Sequence, residues 1–215
     1  MSVHVLISAE FSPSPDLETA WLACLPAERR AALARSEPAA RHRSLLATRL
    51  LAAALVQAGL PSMALATLQQ PPRGRPTLAL PVHFSLAHCE GRIVCALSTG
   101  GPVGVDVEAL SGVRAEGFAR YLSEAERAWA GRSSRRFYSI WTRKEAVVKA
   151  AGSRGLAAVP EVKTTPSGRL ATFDSRTWRT EPLPVGRAHV AHLARLDAGE
   201  AVRVRRLSRQ ALEAL

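Results

Sequence analysis

Hydrophobic and polar positions along this chain follow two alternating rhythms. Residues 3–8 (VHVLIS) form an apolar run of strand length. Helical spacing then takes over at 16–25 (DLETAWLACL) and at 26–37 (PAERRAALARSE), where Pro26 opens the helix and Pro38 limits it. A longer helix is predicted over 39–58, stopped by Gly59 and Pro61. Next the rhythm shortens. A strand is predicted at 64–70 (ALATLQQ), a turn at 71–76 (PPRGRP), and two strands at 82–88 (VHFSLAH) and 92–98 (RIVCALS), joined by the turn CEG. PVGVDVE at 102–108 reads as another strand. Helices return from about 112 to 151, with Ser123 and Glu126 at capping-box spacing, Ser133 or Ser134 as the cap of the last helix, and Gly152 at its end. From 162 onward the segments are short strands: VKTT, RLATF, TWRT, RAHVAHLARL and VRVRR, with the turn PSG between the first two.

Helices followed by strands, twice over, predict an α+β fold with two lobes, residues 1–102 and 103–215. An apolar content of 47% is enough for a packed globule. The net charge of +11 favours anionic partners. Only Lys144, Lys149 and Lys163 among the 29 basic side chains are lysine, so part of that charge is an arginine-rich compositional bias. Cys24, Cys89 and Cys95 are odd in number and lack zinc-like spacing, which reads as reduced thiols. The opening MSVHVLISAEF has no basic start, and the apolar stretch 50–60 is too short to cross a bilayer. A soluble, cytoplasmic chain is expected.

Three stretches carry chemistry. In GVDVE, residues 104–108, alternation sends Val103, Val105 and Val107 to one face of a strand and Asp106 and Glu108 to the other. Two neighbouring carboxylates repel each other, a cost that a divalent cation such as magnesium would remove; from this stretch alone, a solvated polar face on an edge strand is the plainer reading. In IWTRKEAVVKAAG, residues 140–152, Ile140, Trp141, Val147, Val148 and Ala151 fall within one helical arc. Lys144 lies near the middle of that buried arc and must snorkel or meet an anion. Glu145 and Lys149 flank it at i,i+4 spacing, where an exposed ion pair would also account for them. The third stretch, 73–98, offers Arg75 in a Gly-Pro turn and His88 at a strand end, where an ordinary hairpin histidine is the plainer reading.

In this order, the stretches resemble the motifs of the 4′-phosphopantetheinyl transferases, of the monomeric two-lobed type. GVDVE resembles that family's G-[IV]-D-[IV]-E, and WTRKEAVVKAAG its W-x-x-K-E-[AS]-x-x-K. GRP resembles G-K-P, HFSLAHCEG resembles H-F-N-[IVL]-S-H-S-G, and RHRSLLATRLLAAAL resembles the long helix of the first lobe. The resemblance runs from about residue 26 to 156.

The resemblance implies two similar α+β lobes related by a pseudo-twofold axis, each a small, mainly antiparallel sheet on a long helix, with the active site in the cleft between them. It implies Mg²⁺-dependent transfer of 4′-phosphopantetheine from coenzyme A to a serine of an acidic acyl, aryl or peptidyl carrier protein, serving fatty-acid, polyketide or nonribosomal-peptide synthesis. Adenosine 3′,5′-bisphosphate would be released. Asp106, Glu108 and Glu145 match the magnesium carboxylates, with Glu145 also the candidate base for the serine proton. Lys149 matches the lysine on the pyrophosphate, and Lys144 is expected to position or neutralise the carboxylates. His88, Arg75, Ser44 and neighbouring Arg43 are the expected ligands of the coenzyme A 3′-phosphate.

The chain departs from the pattern at Ser85, in place of asparagine, and at Ala87, in place of the serine before the histidine. A missing hydroxyl at 87 is expected to weaken cofactor binding by about 1 kcal/mol. Glu28 and Ala31 stand where relatives carry lysine, and Arg29, Arg30 or Arg35 are the substitutes at hand. Two other readings stand beside the transferase. One is a basic nucleic-acid-binding module without catalysis, for which no helix-turn-helix, zinc pattern or aromatic platform is present. The other is a degenerate relative that binds a carrier protein without acting on it.

Overall fold

A computed structural model describes residues 2–71, 75–111, 115–153, 155–196 and 199–215. Gly74 of the GRP turn and the expected helix start at 112–114 lie outside these.

Strand β1 (Ser2–Ala9) opens the chain. Helices α1 (Pro15–Ala23), α2 (Ala27–Ala34) and α3 (Pro38–Gln57) follow. Strands β2 (His83–Cys89), β3 (Arg92–Ser98) and β4 (Val103–Ala109) come next, then helices α4 (Glu124–Ala130) and α5 (Ser134–Ala150). The chain ends with β5 (Lys163–Thr164), β6 (Leu170–Phe173), β7 (Arg176–Pro182), β8 (His189–Leu196), β9 (Ala201–Leu207) and a short helix α6 (Arg209–Glu213).

The fold is α+β, with a four-stranded sheet ordered β2-β3-β1-β9 and a five-stranded sheet ordered β4-β8-β7-β6-β5. Every pairing is antiparallel except β1 with β9. The last strand thus returns to the sheet that the first strand began.

Three cores show how the layers stack. Leu6, Ile93, Cys95 and Leu97 of the first sheet pack against α3. Their neighbours Val3, Val5, Ile7, Val94 and Ala96 turn the other way and meet Val103, Val105, Val107, Ala191 and Leu193 of the second sheet. The far face of that sheet, with Ala171, Trp178, Val190 and Ala194, packs on Ile140, Trp141, Val147 and Val148 of α5. The order is helix, sheet, sheet, helix. Sheets buried on both faces need continuous apolar runs, as VHVLIS and RIVCALS are.

Local chemistry sets the ends. Gly59, at φ +74°, closes α3 in a Schellman turn, with Leu60 N–H donating to Leu55 O at 2.9 Å and Gly59 N–H to Val56 O at 3.0 Å. Ser123 and Glu126 form the expected capping box of α4, and Ser133 caps α5.

The strand expected at 64–70 is instead a 3-10 turn, Ser62–Thr67, followed by a single bridge between Gln69 and Thr77. Ala64 and Leu65 are drawn into the core against α3. The Thr67 hydroxyl fixes the turn, donating to Ala64 O at 2.8 Å and accepting from Ala79 N–H at 3.0 Å. Tertiary packing overrides the strand-like composition here. No helix among the described residues is long and apolar enough to cross a membrane.

Candidate active site

The site begins with a close approach. A Cβ on Gly104 of β4 would lie 2.1 Å from Ala146 O and 2.5 Å from Ala150 N, both backbone atoms of α5. Only glycine allows strand and helix to touch here. Two residues further along the same face, Asp106 therefore meets the last turn of α5. Its Oδ1 accepts from Lys149 Nζ at 2.6 Å. Its Oδ2 is buried and has no hydrogen-bond partner.

Glu108, on the same face of β4, accepts a hydrogen bond from the Trp141 side chain, yet burial and the Asp106 charge push its carboxyl up to about 7. Glu145 is pushed up by burial and by Asp106. Burial pulls the Lys149 ammonium down, but Asp106, Glu145 and Glu108 outweigh it and the net shift is upward. The three carboxylates and this lysine thus sense one another as one electrostatic unit. Among the described residues, no three His, Cys, Asp or Glu side chains are gathered closely enough to hold a metal ion. The donor chemistry, all carboxylate oxygen with one buried oxygen unpartnered, fits a hard divalent cation.

Beside this unit lies a cavity of about 270 Å³. Glu145 and Lys149 of α5, Ser44 of α3, His88 of β2, Arg75 and Arg29 of α2 all contribute to its wall, so it draws on both halves of the sequence. The Ser44 hydroxyl lies 3.3 Å from His88 Nε2. Burial, then the charges of Arg43 and Lys149, hold the His88 imidazole below its ordinary value. A bound anion would reverse the last two influences. Arg75 Nη2 lies 2.6 Å from His83 Nδ1.

Other expected residues stand elsewhere. Arg43 does not line the cavity; it pairs with Glu10 at 3.3 Å. Of the arginines proposed to replace the family lysines, Arg29 lines the cavity, whereas Arg30 donates to Leu25 O at 2.5 Å.

Lys144 meets an anion, but not the expected carboxylates. Its ammonium is buried 2.9 Å from Glu126 and donates to Tyr121 O at 3.1 Å. Glu126 also accepts from Ser123 N–H at 2.7 Å and from the Thr164 hydroxyl at 2.5 Å. This pair ties α4 and β5 to α5. The sequence marked Glu126 only as a capping residue, because its second partner is a tertiary contact.

The departures at 85 and 87 take on new meaning. The Ser85 hydroxyl accepts from Val105 N–H at 3.1 Å and stitches β2 to β4. Ala87 is buried in the core between the sheets, with Val3, Val94 and Val105, on the opposite face of β2 from His88. A hydroxyl at 87 would face that core, so the expected loss of cofactor affinity does not follow.

The sequence did not single out Gln70 and Ser153, which also line the cavity, or the Trp141 contact to Glu108. For Trp141 there was a signal: it precedes Glu145 by one helical turn and shares its face.

Residues 102–193 match the model of the 4′-phosphopantetheinyl transferase superfamily, the family read from the motifs. The chain is also similar to the 4′-phosphopantetheinyl transferase gsp of Aneurinibacillus migulanus, at 31% identity over 84 residues. That match spans 37% of this chain and 35% of the relative, about a third of its length.

Proposed function

We propose that this protein is an enzyme that transfers 4′-phosphopantetheine from coenzyme A to a serine of an acidic carrier protein, acting as a magnesium-dependent monomer in the cytoplasm. One observation carries the reading: Lys149 and Glu145 share a cavity wall with Ser44, His88, Arg75 and Arg29, beside the buried Asp106 carboxylate. Cations and hydrogen-bond donors on several sides suit a ligand with several phosphates. The similarity to 4′-phosphopantetheinyl transferases supports reading that ligand as coenzyme A.

Asp106, Glu108 and Glu145 would hold magnesium, their carboxylates drawing together around its charge, since they are not already gathered as a metal site. When bound, it supplies positive charge to the pyrophosphate oxygens. The chain's own groups do the rest. Glu145, whose burial makes it a stronger base than an ordinary carboxylate, takes the proton of the carrier serine. As the serine oxygen bonds to the pantetheine-side phosphorus, the bond from that phosphorus to the bridging oxygen breaks. The electron pair leaves on adenosine 3′,5′-bisphosphate. Lys149, kept protonated by Asp106, offsets the charge gathering on that leaving phosphate. Ser44, His88 and Arg75 hold the 3′-phosphate, and the net charge of +11 draws in both polyanionic partners.

The test is intact-mass analysis of a panel of apo-carrier proteins incubated with the protein, coenzyme A and MgCl₂. A gain of one phosphopantetheine group is expected, and Glu145→Gln is expected to abolish it. No gain on any carrier overturns the reading. Tight, steeply salt-dependent DNA binding in its place favours the basic-module alternative.

A further inference from the structure

His83 opens the HFSLAHCEG stretch at the start of β2, on the strand face opposite His88, and the proposed chemistry gives it no role. Its Nδ1 lies 2.6 Å from Arg75 Nη2. A guanidinium has donors only, so the imidazole must accept, with its proton on Nε2. A protonated ring would place two donors and two positive charges against each other. Burial, followed by the Arg75 charge, lowers the His83 pKa and keeps the ring neutral, against an upward pull from Glu200. Glu200 in turn accepts from the Ser98 hydroxyl at 3.3 Å, and Ser98 is the β3 partner of His83. Arg75 itself lies in no helix or strand and stands two residues before the bridge at Thr77. His83 is the hydrogen-bond partner that ties it to the sheet.

We propose that His83 is a positioning residue that anchors Arg75 in the cavity wall and so sets the affinity for a phosphate group of the substrate. The inference rests on the proposed use of coenzyme A. An arginine left to sample its rotamers loses side-chain entropy on binding, whereas an anchored one has lost it already. His83 touches no substrate; its effect passes wholly through Arg75.

The experiment is calorimetric titration of coenzyme A, and of coenzyme A lacking its 3′-phosphate, into the wild type and variants. His83→Ala and Arg75→Ala are each expected to weaken coenzyme A binding on the order of tenfold, and the double variant no further. The analogue without the 3′-phosphate should bind all of them about equally. His83→Asn sets an amide oxygen where Nδ1 accepts and is expected to restore affinity. His83→Gln, whose oxygen falls one bond further out, is not. If His83→Ala and His83→Gln both bind coenzyme A like the wild type, or if the effects of His83→Ala and Arg75→Ala add, the inference is overturned while the transferase reading stands. Failure of the wild type to bind coenzyme A overturns both.

Discussion

Lys149 Nζ sits 2.6 Å from one oxygen of Asp106, while the other oxygen of the same carboxylate is buried without a partner. One residue thus carries two duties: keeping the lysine charged and presenting an unused anionic oxygen beside the cavity. Asp106→Asn removes both while preserving shape. The proposed chemistry predicts a fall in transfer rate of about 100-fold or more, with the circular dichroism spectrum unchanged. Lys149→Met should cost the rate without restoring it in combination with Asp106→Asn. Single-turnover mass spectrometry of a carrier protein measures both.

Gly104 is the reason Asp106 and Lys149 meet. Gly104→Ala forces a methyl group into the α5 backbone at Ala146 O and Ala150 N, where no side chain can swing aside. The expected loss of stability is about 3 kcal/mol, read as a shift of the urea midpoint. Because relief requires α5 to move away from β4, transfer should fall even at temperatures where the variant is fully folded. A variant that unfolds earlier yet transfers at the wild-type rate would show that the close approach serves stability alone.

Much of this site was legible in the sequence because its parts are set by local geometry. Alternation placed Val103, Val105 and Val107 on one side of β4 and Asp106 and Glu108 on the other, as found. The helical arc of Ile140, Trp141, Val147 and Val148 is buried, and Ser123 and Glu126 form their box. What was not legible depends on partners far along the chain. Pairing of β9 with β1 joins residues some 200 positions apart, and nothing in AVRVRRL names its neighbour. Ala87 could be placed in a motif but not on a face of the sheet until the register with Val94 was known. Lys144 demanded an anion; which one was decided by the packing of α4 on α5.

That packing gives a prediction that separates structure from chemistry at Lys144. Both members of the Lys144–Glu126 pair are at most 2% exposed. Lys144→Met strands a buried carboxylate and should cost about 3–5 kcal/mol. Adding Glu126→Gln, whose amide oxygen can accept from Ser123 N–H while its NH2 donates to the Thr164 hydroxyl, should recover a large part of it. Coenzyme A affinity of the folded double variant should match the wild type, since neither residue lines the cavity. A loss of affinity without loss of stability would return Lys144 to the active site.

A last prediction follows from the α5 face of the second sheet, where His192 pairs in register with Asp106 and bonds Thr142 at 2.8 Å. Burial, and then the Arg143 charge, push the His192 imidazole down to about 3 from an ordinary 6.5. Above the ordinary value the ring is neutral in both folded and unfolded chains, and the shift has no effect. Below it the unfolded chain takes up a proton that the folded chain refuses. Stability therefore falls as the pH drops from 6.5 towards 3, with a contribution from this group approaching ~1.4 kcal/mol per pH unit, and levels off below the folded value. His192→Gln keeps a polar partner for Thr142 but cannot titrate. Urea unfolding of wild type and variant across this range should give curves that run parallel above pH 7 and converge or cross below pH 6. Parallel curves throughout would mean that the folded protein accommodates a charged imidazole at this position.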